Sequence, residues 1–253
     1  MTLTRLAFNP GVPSTMVAEV LALFAWLLPM SFAVLAHTSL RAISADELAM
    51  YRYTSDILAY LREDVPIGWS LPLGARYFPD LPISFAAYAL SLGDPRAWGA
   101  AFALLNQGLI YGALRMLLKA GGVPEPERRL AGALFMAAIL FLSAISFQAG
   151  ANLLRTGYHN TLFAPALIFS GLPMVGARIN DRKHLAALAA GFGVLFGVVI
   201  HSDPLFVAWS VVPTLAGALV MVVAGGICLR GLLATFVVAL IAMALAQASR
   251  LGF

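Results

Sequence analysis

Seven apolar runs, at residues 16–36, 97–118, 130–149, 161–177, 185–200, 205–224 and 232–248, alternate with mostly short connections. One long polar stretch, 37–96, interrupts them between the first run and the second. A helix rising 1.5 Å per residue needs about 20 residues to cross roughly 30 Å of hydrocarbon. The fourth, fifth and seventh runs are short by that measure, so they borrow flanking residues or lie in a thinned region. The pattern predicts an all-α polytopic membrane protein with about seven transmembrane helices. It forms a single membrane domain over 1–253, with no separate soluble C-terminal domain.

The long stretch 37–96 reads as a structured extracytoplasmic first loop with two juxtamembrane helices. Ser44-Ala45-Asp46-Glu47 has the form of a capping box, in which the serine accepts from the N3 amide and the glutamate reaches back. Leu48, Tyr51, Leu58 and Leu61 then recur at helical spacing against Arg52, Asp56 and Glu63, an amphipathic helix for the membrane surface. Gly68, Pro72 and Gly74 break the chain. After Tyr77-Phe78-Pro79-Asp80-Leu81-Pro82, a second apolar piece at 83–92 is too short to cross and stops at Gly93-Asp94-Pro95.

Composition agrees with a membrane protein: 61% of the 253 residues are hydrophobic and 11% charged, against about a quarter charged in soluble domains. The net charge of +4 is dispersed, with no basic-aromatic surface, which argues against nucleic acid and for topology control and membrane lipid contact. The single cysteine, Cys228, excludes an internal disulfide and a cysteine metal cluster. Arg115, Lys119, Arg128, Arg129, Arg178, Arg182, Lys183 and Arg230 fall on alternate connections with Arg5. The basic-residue bias therefore places the amino terminus in the cytoplasm. The carboxyl terminus then lies outside, and Asp80, His159, His201 and Asp203 share the outer face. Localisation to a bacterial inner (plasma) membrane is the corresponding expectation.

Seven of the twelve carboxylates lie in 37–96, so the candidate chemistry gathers there. Asp46 and Glu47 are placed either to activate a hydroxyl or hold a divalent cation, or simply to complement a helix dipole. Asp80, wedged between aromatic and proline residues, is a helix cap or a rigidly held acid. His201-Ser202-Asp203-Pro204 suits a cap, with proline at the first helical position, or a ligand set for phosphate or metal. Arg155 and His159 are ordinary interfacial residues or partners for a lipid-linked phosphate. Asn106, Gln107 and Gln148 are expected to hydrogen-bond between spans. No phosphate loop, dinucleotide fingerprint, zinc-protease motif or nucleophile elbow is present.

Taken together, Asp46-Glu47 shortly after a first span, the Tyr77–Pro82 segment and the outer His159 and Ser202-Asp203-Pro204 resemble the GT-C superfamily of polytopic glycosyltransferases. The likeness is to the protein mannosyltransferase and aminoarabinose transferase type. That resemblance implies transfer of a sugar from a polyprenyl-phosphate donor to a glycan, lipid or protein acceptor. It makes Asp46 the general base of an inverting displacement, and Asp80 a second acid or a ligand for Mg or Mn. Glu47, Arg155, His159, His201 and Asp203 become substrate-binding candidates. Such enzymes usually continue beyond the seventh span. The competing expectation is a non-catalytic subunit or truncated module whose outer loop docks a partner subunit.

Overall fold

The computed structural model describes residues 45–63, 78–145 and 160–251, and these are helical with no strand. The predicted first span, Arg155, His159 and Gln148 lie outside the described residues. In chain order the helices are α1 Ala45–Glu63, α2 Asp80–Leu90, α3 Pro95–Ala120, α4 Glu125–Ile145, α5 Phe163–Arg178, α6 Arg182–Ser202, α7 Val212–Val223 and α8 Leu229–Leu251. A 3₁₀ turn, Asn160–Leu162, precedes α5, and a π-helical turn, Val207–Val211, leads into α7. Among the described residues, three helices are long and apolar enough to cross a membrane: Pro95–Ala120, Arg182–Ser202 and Leu229–Arg250. Phe163–Arg178 and Val207–Val223 are shorter apolar helices.

Two helix starts use the same device. Asp94 accepts from the Ala97 amide at 2.7 Å with Pro95 at the first helical position. Asp203 accepts from the Leu205 amide at 3.1 Å, with Pro204 between them. Both proline nitrogens sit where an amide proton would lack a partner anyway, so the cap reading of Asp203 is borne out. By contrast, Asp80 is the first residue of α2 and Pro79 its cap position, so Asp80 is not the cap. The helix starts at Asp80, ahead of the apolar piece at 83–92, because Pro82 is tolerated in a first turn.

Close packing relies on small residues, as expected where lipid supplies little drive for helix association. α6 and α8 run parallel in a constant register. A Cβ on Gly193 would sit 2.5 Å from Ile241 Cγ2, one on Gly197 would sit 3.1 Å from Leu245 Cβ, and His201 meets Ser249 one turn further on. At the start of α8, Gly231 lies against the Pro173 carbonyl of α5. Phe169, Phe196 and Phe206 fill the centre, with Phe169 edge-on to Phe196 at 4.9 Å and Phe196 stacked on Phe206 at 5.7 Å. A separate cluster of Ile83, Ala87, Trp98 and Phe102 seats α2 on α3, with Met50 and Tyr51 of α1 packed against it. Hydrogen bonds reinforce this: Thr54 meets Ser84 at 2.5 Å, and the Trp98 indole donates to Ser84 Oγ at 3.2 Å.

These contacts sort the helix ends. Gly121 and Gly122 at the end of α3 approach Met174 and Arg178 of α5, and Arg230 of α8 donates to Asn180. That end holds Arg115, Lys119, Arg128, Arg129, Arg178, Arg182, Lys183 and Arg230 against three carboxylates, Glu125, Glu127 and Asp181. The opposite end holds Asp80, Asp94 and Asp203, with His201, Arg96 and Arg250. Among the described residues, the basic side chains are therefore concentrated at one end of the bundle.

Candidate functional site

At the carboxylate end, the chain before α2 is tied to the end of α6. The Phe78 amide donates to Ser202 Oγ at 2.9 Å across 124 residues of sequence. The Phe78 side chain packs against the central cluster that contains Phe196 and Phe206. Two residues beyond Phe78 stands Asp80, 6% exposed, and one residue beyond Ser202 stands Asp203, 4% exposed. Two carboxylates from distant parts of the sequence are thus buried at one junction. Asp203 also accepts from the Leu205 amide, so part of its capacity is spent on the start of the next helix.

His201 belongs to the same junction. Its Nδ1 lies 2.7 Å from Ser249 Oγ, and that hydroxyl donates to the Ala246 carbonyl at 2.9 Å. With the hydroxyl proton committed, Nδ1–H is the donor to Ser249. A guanidinium nitrogen of Arg250 donates to the Ile200 carbonyl at 3.4 Å, which holds a positive charge beside the His201 turn. The site thus offers two buried acids, one imidazole and one guanidinium at the end of a membrane bundle.

Of the other sequence candidates, Asp46 and Glu47 lie in the first turn of α1, where a negative charge complements the helix dipole. Their side chains are outside the described residues, as are Arg155 and His159. Among the described residues, no three His, Cys, Asp or Glu side chains gather to hold a metal ion. Ser249 and Arg250 are the neighbours of these candidates that sequence reasoning missed. No local motif marks them, because His201 and Ser249 are 48 residues apart and meet only through the register of α6 on α8.

Within the spans one expectation is corrected. Asn106 is 1% exposed, and among the described residues neither its Nδ2 nor its Oδ1 has a hydrogen-bond partner. Comparison with protein-family profiles, with characterised proteins and with solved structures finds no match for this chain.

Proposed function

We propose that the protein is a membrane glycosyltransferase that moves a sugar from a polyprenyl-phosphate donor to an acceptor at the extracytoplasmic face. The single observation that carries this reading is the Phe78–Ser202 bond, which brings the Asp80 and Asp203 segments to one buried junction. In this proposal seven spans run from a cytoplasmic amino terminus, and α1 and α2 lie along the outer surface. The eight basic residues at the opposite end support that orientation, since cytoplasmic connections are enriched in Lys and Arg.

The chemistry follows from the groups. Asp46 is the general base that takes the acceptor hydroxyl proton as its oxygen attacks the anomeric carbon and the lipid phosphate leaves. Asp80 and Asp203 shape the pocket wall, and Glu47 orients the acceptor. Arg155 and Arg250 would neutralise the departing phosphate, with His159 and His201 as candidates to hold it. A divalent cation, Mg or Mn, would lower the charge of that phosphate where carboxylates meet it.

The test is transfer of radiolabelled sugar from polyprenyl-phosphate donors in membranes carrying wild type, Asp46→Asn or Asp80→Asn. Loss of activity in both normally inserted variants supports the proposal. Full activity in Asp46→Asn removes that residue as the base. Absence of transfer in the wild type across a broad donor panel favours the second reading, a non-catalytic subunit whose outer loop docks a partner. One observation supports that second reading directly: Asp203 already has a structural role as a helix cap.

A further inference from the structure

The opposite end of the bundle holds a second polar centre that the proposed reaction does not use. Glu125, at the start of α4, gathers three guanidiniums. Arg129 Nε donates to Oε1 at 3.0 Å, and Arg115 and Arg128 pair with Oε1 and Oε2 respectively. The Arg115, Arg128 and Arg129 side chains are only 12%, 17% and 28% exposed. One carboxylate therefore faces three largely covered cations, and Arg128 Nε is buried with no hydrogen-bond partner among the described residues. Arg178 leans over the same turn, since a Cβ on Gly122 would lie 3.0 Å from its guanidinium. With exposed Lys119 and Glu127 included, the turn sets five basic side chains against two carboxylates. Such an excess of partly desolvated positive charge favours an anion.

The surroundings identify the anion's source. Met116 is exposed next to Arg115, and Leu130 next to Arg129. From Leu130 an exposed apolar column continues along α4 through Leu134, Phe141 and Ile145. A headgroup phosphate bound at the arginines would have its acyl chain on that column. We propose that Arg115, Arg128 and Arg129 form a binding site for the phosphodiester headgroup of an anionic membrane phospholipid. Basic pockets at the cytoplasmic ends of helices are suited to such headgroups. Glu125 sets the spacing of the arginines: it holds them in a fan and is itself too small a charge to neutralise them.

The probe is phosphatidylglycerol, with phosphatidylcholine and inorganic phosphate as comparisons, added to the purified full chain in neutral detergent. Binding is read by native mass spectrometry and by thermal stability. Phosphatidylglycerol should be retained and should raise the melting temperature, while neither phosphatidylcholine nor millimolar inorganic phosphate should do so. The Arg128→Gln/Arg129→Gln variant should bind on the order of 30-fold more weakly, from about fivefold per basic residue near an anionic surface. Arg182→Gln/Lys183→Gln, on the same end but outside the Glu125 ion-pair cluster, should bind as wild type does. Equal retention of both phospholipids, or undiminished binding by the Arg128→Gln/Arg129→Gln variant, would overturn the site. An equal response to inorganic phosphate would overturn the lipid assignment. If the double variant does not fold, the wild type alone decides: selectivity for phosphatidylglycerol that collapses at 1 M salt supports the site, and no selectivity overturns it. None of these outcomes depends on glycosyl transfer.

Discussion

Replacing Gly231 by alanine puts a methyl group where α8 touches the backbone of α5. The new Cβ would overlap the Pro173 carbonyl oxygen and lie 3.1 Å from Ala177 Cβ and 3.2 Å from the Pro173 carbonyl carbon. No rotamer relieves this, because the obstacle is backbone, so the two helices must separate. Overpacking of this kind costs about 1–3 kcal/mol, and alanine returns about 1 kcal/mol in helix propensity. The backbone clash places the cost near the top of its range, for a net loss of about 1–2 kcal/mol. In a chain of this length that corresponds to a melting temperature lower by about 3–6 °C. Gly193→Ala meets the Ile241 side chain and should lose less. Gly217→Ala, with no atom within 4 Å, should match or exceed wild type. Gel filtration of heated, detergent-solubilised protein gives the ranking. If Gly231→Ala proves as stable as Gly217→Ala, the α5–α8 contact is not the close crossing described here.

Other predictions concern polar groups. Burial alone would raise the Glu125 pKa, but hydrogen bonds from Arg128, Arg129 and Arg115 outweigh it and hold the carboxyl down to about 2 from 4.5. A depressed folded-state pKa gives stability that is complete above the unfolded value and is lost as pH falls through the folded one. Wild type should therefore lose its advantage over Glu125→Gln, about 1 kcal/mol after allowance for screening, between about pH 5 and pH 2; a gap in melting temperature that does not change over that window would contradict the cluster. Asp203→Ala should cost about 1 kcal/mol through the lost cap, whereas Asp203→Ser should retain most of it; equal losses on thermal unfolding would argue against capping. Ser202→Ala leaves the Phe78 amide without its acceptor and should cost about 1–3 kcal/mol, with faster proteolysis on the amino-terminal side of Phe78 as a second readout. Asn106→Leu exchanges an unpaired buried amide for an apolar side chain of similar size and should raise the melting temperature; a lower one would reveal a polar partner for Asn106.

The cores of the helices could be read from hydropathy, and their ends could not, for one physical reason. The run at 185–200 becomes Arg182–Ser202, and that at 232–248 becomes Leu229–Leu251. Charged residues in the terminal turns, Arg182 and Lys183 in one and Arg230 and Arg250 in the other, lower the hydropathy while their long side chains reach the interface and leave the helix intact. The π-helical turn at Val207–Val211 leaves no mark in the pattern, because its apolar residues read as continuous helix. The two polar centres differ in the same way. Glu125, Arg128 and Arg129 stand at helical spacings of three and four, a local signal that the sequence reading passed over, and the third partner, Arg115, comes from the preceding helix. The His201–Ser249 and Phe78–Ser202 pairs span 48 and 124 residues and have no local spacing. Their meeting depends on glycines that let α6 approach α8, and on an aromatic cluster against which Phe78 rests. The carboxylate end of the bundle is therefore a product of packing. Substitutions that widen the α6–α8 contact, such as Gly197→Leu, should disturb the His201–Ser249 pair without touching either residue.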